Sequence, residues 1–159
     1  MKRSLRTEIS RRETVALAVG AVAAAALPGE AAATPEEVTE SIAETFGPTP
    51  IQDGRILVTV PKLAETGNSV PVAVVVESPM TDGDYVKRIA IFAEQNPRPK
   101  IVEVFLSQAC GRARLETSIR LSGTQGLVVV AEMSDGSLWK VREQVQVVIG
   151  ACTALSARY

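Results

Sequence analysis

Arg112-Ala113-Arg114-Leu115-Glu116-Thr117-Ser118-Ile119-Arg120-Leu121 decides the fold class. Successive side chains of an extended chain point to opposite faces, so Arg112, Arg114, Glu116, Ser118 and Arg120 share one side. Ala113, Leu115, Thr117, Ile119 and Leu121 share the other. That pattern predicts a strand with one wet face and one core face. Working outward, further β-like runs are expected near residues 56–60, 70–77, 86–93, 101–106, 127–133 and 138–149. Turn-forming residues separate them: Thr66-Gly67-Asn68, Asp82-Gly83, Asn96-Pro97-Arg98-Pro99, Ser122-Gly123 and Ser134-Asp135-Gly136-Ser137. Strands in this number without intervening helices predict an all-β sandwich of about seven antiparallel strands. Residues 72–76 and 127–131 are apolar at every position. Something beyond the domain's own core must therefore cover one side of each, either a partner subunit or a helix of this chain.

One short helix precedes the strands. Thr34-Pro35-Glu36-Glu37 has the form of a helix start, with Thr34 as N-cap, Pro35 at the first helical position and Glu37 completing a capping box. Val38, Ile42, Ala43 and Phe46 lie on one stripe, and Gly47-Pro48 ends it.

The amino terminus reads as an export signal. Arg11-Arg12 follows Ser10 and stands before an apolar core at residues 15–27, and Ala31-Ala32-Ala33 offers a small-residue cleavage site before Thr34. Thirteen apolar residues are too few for the ~20 of a membrane-spanning helix, so no membrane anchor is expected in the mature form. The paired arginines favour the twin-arginine route, although Glu13 and Thr14 follow them where an apolar residue is usual. The expected organisation is thus a cleaved signal at 1–33, a domain at 34–149 and a flexible carboxyl-terminal arm at 150–159.

Composition excludes several functions. The chain contains no histidine, which removes Ser-His-Asp and Cys-His catalysis and histidine-ligated zinc; its two cysteines alone cannot close a zinc site. No metal or other cofactor is expected. Residues 1–33 carry five of the 17 basic and three of the 18 acidic side chains, so the mature chain has a net charge of −3 and no polyelectrolyte reason to bind nucleic acid.

Cys152 is the residue with chemistry. It follows the last strand by way of Gly150-Ala151, among small residues seven positions from the end. A thiol there packs nothing and is useful for covalent chemistry, which predicts a carrier arm formed by Gly150, Ala151, Thr153 and Ala154 around Cys152. A structural disulfide between Cys152 and Cys110, or a thiol without function, remains open at this point. Arg112, Arg114 and Arg120 are read as a solvated strand face, Trp139 as a core residue and Asp135-Gly136 as a hairpin turn.

Gly67-Asn68-Ser69-Val70-Pro71, Ser78-Pro79-Met80, Ile91-Phe92-Ala93-Glu94-Gln95-Asn96-Pro97-Arg98-Pro99, Gly111-Arg112-Ala113 and Ala131-Glu132-Met133-Ser134-Asp135-Gly136-Ser137, in that order, resemble the SoxY family of sulfur carriers from the bacterial thiosulfate-oxidising system. The resemblance implies an immunoglobulin-like sandwich that pairs with a second sandwich subunit, SoxZ, in the periplasm. It also implies a non-catalytic carrier whose arm cysteine, here Cys152, holds sulfur intermediates. A haem enzyme, a manganese-dependent hydrolase and in some systems a molybdenum-haem dehydrogenase would act on the arm. The family's arm reads Gly-Gly-Cys-Gly-Gly; here Gly150 and Cys152 match, while Ala151, Thr153 and Ala154 replace glycines and Leu155-Ser156-Ala157-Arg158-Tyr159 follow. Two other readings stand beside the carrier: an exported partner-binding sandwich without carrier activity, and a thiol oxidoreductase using Cys152 and Cys110.

Overall fold

The computed structural model of the protein describes residues 33–150; Arg11, Arg12, Ala151, Cys152, Thr153 and Ala154 lie outside the described residues. Helix α1 (Pro35–Phe46) begins as its sequence requires. The Glu37 N–H donates to the Thr34 hydroxyl at 3.3 Å and the Thr34 N–H donates to the Glu37 carboxylate at 2.9 Å, which satisfies two amides that a helix start leaves without partners. Gly47, at φ 80°, closes the helix by donating its N–H to the Ala43 carbonyl.

Nine strands follow among the described residues: β1 (Ile51–Asp53), β2 (Ile56–Thr59), β3 (Leu63–Thr66), β4 (Val70–Val76), β5 (Val86–Ala93), β6 (Lys100–Phe105), β7 (Arg114–Ile119), β8 (Gln125–Met133) and β9 (Leu138–Ile149). They form two sheets. The larger runs β1-β9-β8-β5-β6 with β3 also on β9, and the smaller runs β2-β4-β7. All seven expected strands are present, and the sandwich is as expected. β1 and β3 are additional, and both pair with β9 in parallel, so the larger sheet is mixed. At three and four residues they are too short to show a period of two.

Alternation builds the core. Val70, Val72, Val74 and Val76 of β4 and Ile119 of β7 face Ile89 and Ile91 of β5, Leu127, Val129 and Ala131 of β8 and Val145 and Val147 of β9 across the gap between the sheets. The intervening residues of β5 and β8, namely Ala90, Phe92, Val128 and Val130, point outward and are buried under Val38 and Ile42 of α1. The helix therefore accounts for the two-sided run at 127–131, with no partner needed there. For the run at 72–76, Ala73 and Val75 face away from the core and are half-buried, as their inward neighbours on β4 are not.

Two polar contacts fasten the helix side. Arg88 donates to Glu132 at 2.6 Å and to Glu103 at 3.1 Å, and its guanidinium lies 4.3 Å from the centre of the Phe46 ring. Arg142 grips Glu94 with both carboxylate oxygens engaged, at 2.6 and 2.7 Å. Gly126 leaves room for that pair: a Cβ there would come within 2.5 Å of the Glu94 carboxyl carbon. The hydrogen bonds from Arg142, helped by its charge, hold the Glu94 carboxyl below the usual carboxylate range. A group with a lowered folded pKa adds stability above its unfolded value, about 4.3, and loses it as the pH falls through the folded pKa. Acid unfolding monitored by circular dichroism should accordingly lose one component of its pH dependence below about pH 4.3 in Glu94→Gln. An unchanged acid profile would contradict this.

Trp139 is partly buried at the rim of the core, with its indole N–H donating to Ser137 Oγ at 3.3 Å and the Arg55 guanidinium 5.0 Å from its ring centre. Asp135-Gly136 is the hairpin turn between β8 and β9, as expected, with Gly136 at φ 84° and the Ser137 N–H donating to Asp135 at 2.8 Å.

Candidate functional site

β9 carries the chain to Gly150, the last described residue before the cysteine, and the surroundings of that point set how the arm leaves the domain. Thr66 pairs with Ile149 on one side, and the Gly67 N–H donates to the Ile149 carbonyl at 2.7 Å. Thr124 closes the other side: its hydroxyl accepts from the Val147 N–H at 2.9 Å and donates to the Val147 carbonyl at 3.2 Å. The Ser122-Gly123 turn packs directly on Gly150. A Cβ at residue 150 would overlap the Ser122 carbonyl oxygen and lie 2.8 Å from its carbon.

That turn is itself braced by two buried amides. Gln125, 1% exposed, accepts from the Gln95 N–H at 2.7 Å and donates to Asn96 Oδ1 at 2.9 Å and to the Gly123 carbonyl at 3.2 Å. Asn96 Oδ1 also accepts from the Ser122 N–H at 2.9 Å, and its Nδ2 donates to the Arg120 carbonyl at 2.8 Å. Ser122 Oγ adds a bond to the Gln95 carbonyl at 2.6 Å. Satisfied buried networks of this kind fix one geometry, because any alternative strands a polar group away from water. The root of the arm is thus a rigid platform. This network was not among the residues singled out from sequence, yet a signal existed. Gln125 falls in phase with Leu127, Val129 and Ala131, so alternation places a polar side chain on the inward face.

Glycine at 150 is needed for close approach to a carbonyl, not for a positive φ, since Gly150 is not among the positive-φ glycines. Gly150→Ala must push apart two backbones that are both held, and we expect a loss of about 1–3 kcal/mol in urea unfolding. A loss below about 0.5 kcal/mol, the range of ordinary surface changes, would show that the platform yields.

Cys110 stands elsewhere. It ends a single 3-10 turn, Gln108–Cys110, and is exposed. The chain on either side is fixed at the far end of the sandwich: the Leu106 N–H donates to Lys87, and the Ala113 carbonyl accepts from Val76. From Ala113 the chain runs along β7 to Leu121, whose N–H donates to the Gly67 carbonyl beside Ile149, a length of about 25 Å at ~3.3 Å per residue. Cys110 and Gly150, the root of the arm, thus stand towards opposite ends of the sandwich.

Arg112, Arg114 and Arg120 are exposed, and Arg114 pairs with Glu116 on its own strand, as expected of a solvated face. Among the described residues no group of three acidic or cysteine side chains is placed to hold a metal ion, and no helix is long and apolar enough to cross a membrane.

Comparison with known proteins gives a consistent picture. The sequence matches the family described as sulfur oxidation protein SoxY over residues 42–152. No curated protein matches it. Among solved structures, the sulfur carrier protein SoxY from Chlorobium limicola f thiosulfatophilum is similar at 29% identity with a TM-score of 0.62, covering 73% of this chain and 100% of that one. An E23A superoxide reductase (neelaredoxin) from Ignicoccus hospitalis is similar at 17% identity and a TM-score of 0.52, over 76% of this chain and 98% of that one. The hypothetical protein PH1083 from Pyrococcus horikoshii OT3 is similar at 17% identity and 0.51, over 60% and 96%. The last two likenesses extend to the fold alone.

Proposed function

The chain belongs to the SoxY family of sulfur oxidation proteins, and on that premise we propose that it is a periplasmic sulfur carrier holding its cargo covalently on Cys152. The observation that carries this reading is that the family match runs to residue 152, the cysteine itself, and so includes Gly150 and Ala151 before it.

The chemistry requires little of the domain. Coupling thiosulfate to the thiol forms a sulfur–sulfur bond, releases the thiol proton and passes an electron pair to an oxidant, for which the family supplies a haem enzyme. Hydrolysis of the adduct then consumes water and releases sulfate, leaving a persulfide on the same sulfur; the family's manganese-dependent hydrolase would catalyse it. The carrier presents the thiol and contributes no acid, base or metal. A SoxZ-like sandwich is the proposed partner subunit, and the outward apolar residues of β4 are one surface available to it.

Intact mass of the protein purified from thiosulfate-grown cells tests the proposal. Sulfur adducts on Cys152 are expected, and their absence under active thiosulfate oxidation would leave the alternative of a partner-binding sandwich, which the replacement of glycine at 151, 153 and 154 favours. For the location, Arg11-Arg12 replaced by Lys-Lys should reduce the periplasmic form at least tenfold in a fractionation blot. Undiminished export would point to the general secretory route.

A further inference from the structure

One open edge of the sandwich lacks the protection that the others have. Among the described residues β1, β2 and β3 are three or four residues long, and β7 shows solvent the charged side chains of Arg114 and Glu116. Short or charged edges pair poorly with foreign strands. β6 is different: it ends the order β1-β9-β8-β5-β6, is six residues long, and carries Val102, Val104 and the 75% exposed Phe105. The Leu106 N–H donates to the Lys87 carbonyl at 2.9 Å. Opposite residues of an antiparallel pair alternate between exchanging both backbone bonds and exchanging none, so Val104 and Val102 turn their backbone groups to Ile89 and Ile91. Glu103 and Phe105 turn theirs outward, where no strand lies. The side chains agree. Val102, Val104 and Leu106 pack against the core yet stay half-buried, while Ile89 and Ile91, one strand further in, are fully buried.

We propose that β6 pairs antiparallel with β6 of a second copy of this chain, joining two larger sheets across a two-fold axis at Val104. The inference goes beyond the carrier reading and does not depend on it. Self-complementarity of the strand selects both the occupant and the register. Residues set opposite each other about such an axis must share a sheet face and a bonding class. With the axis at Val104, Glu103 meets Phe105 of the second copy and Phe105 meets its Glu103, so the two outward-turned residues of each strand find full backbone partners. On the core face Val104 meets Val104 and Val102 meets Leu106, so the half-buried apolar side chains of each copy cover those of the other. One residue nearer the start of β6, Glu103 would oppose itself, a like-charge pair that weakens a ladder. In the register proposed its charge is already matched within its own chain, by Arg88 at 3.1 Å and Lys100 at 2.8 Å, and closing the edge strands no ion. β9, which leads to Gly150, is separated from β6 by β8 and β5, so the pairing leaves the root of each arm clear.

The test uses the full mature chain with both native thiols replaced, Cys110→Ser/Cys152→Ser, and sets a single new cysteine on the edge. Val104→Cys places two thiols at an opposite pair that exchanges no backbone bonds, where Cα atoms lie about 4.5 Å apart, within the range that a disulfide spans. Val102→Cys places them four residues out of register, about 13 Å apart along the strands. Under mild oxidation we expect Val104→Cys to form at least ten times more linked dimer than Val102→Cys. Sedimentation equilibrium of the unsubstituted mature chain should show a concentration-dependent dimer. Phe105→Pro removes an outward donor and no bond to β5, and should raise the dissociation constant at least tenfold. Phe105→Thr keeps the donor and should raise it less. Each variant is checked for an unchanged circular dichroism spectrum, and Phe105→Lys replaces the proline variant if that one does not fold. A chain that stays monomeric at every concentration overturns the proposal, as does a dimer equally tight in Phe105→Pro. Equal linking of the two cysteine variants overturns the register and the two-fold pairing with it. A SoxZ-like subunit whose binding blocks linking of Val104→Cys and is itself lost in Phe105→Pro would own the edge, which overturns the second copy as its occupant.

Discussion

Cys152→Ser should abolish every thiosulfate-dependent mass adduct on this protein and leave its unfolding midpoint where it was. The first half follows from chemistry: serine cannot form the sulfur–sulfur bond, and Cys110, the other thiol, stands at the opposite end of the sandwich. The second half follows from position, since residue 152 lies beyond Gly150, the last point at which the described chain is fastened to the domain. Cys110→Ser should load as the wild type does. Intact mass after incubation with thiosulfate and the oxidising enzymes measures both variants together. Adducts that persist in Cys152→Ser would move the carrier role to another residue.

Phe92→Ala should destabilise the domain by about 3–5 kcal/mol, a large part of the 5–15 kcal/mol that holds a typical domain folded. Phe92 is fully buried on the outer face of the larger sheet, where it fills the space under α1 together with Ala90, Val128 and Val130. Removing the ring leaves a cavity that Val38 and Ile42 can close only by moving the helix, and Phe46 would then lose its place against Arg88. Urea unfolding is the appropriate measurement. A cost under about 1 kcal/mol would mean that the helix is not seated as described.

How far the sequence disclosed this can be judged from particular residues. The alternation at Arg112-Ala113-Arg114-Leu115 and the capping box at Thr34 are local, repeated signals, and both correspond to what is observed. The helix as cover for the run at 127–131 was open in the sequence, because apolar residues on both faces of a strand do not say what lies above them. β1 and β3 were invisible since their existence depends on β9, which lies some eighty residues further along the chain. The same holds at the root of the arm. Cys152 could be singled out by its place after the last strand, and the inward phase of Gln125 marks a buried polar side chain, but its partnership with Asn96 and Ser122 joins residues 26 and 29 positions apart and is not a local pattern.

The close approach at Gly150 also bears on how such an arm can change over generations. Selection for a folded domain alone would hold that position to glycine, because any side chain there disturbs the Ser122 turn whether or not sulfur is ever carried. Ala151, Thr153 and Ala154 stand where the family arm described above has glycine. A lineage can therefore drift away from glycine around its cysteine while keeping the one glycine that folding needs, and Gly150 in an altered arm is consequently a record of the domain's packing and no measure of how well the thiol still serves.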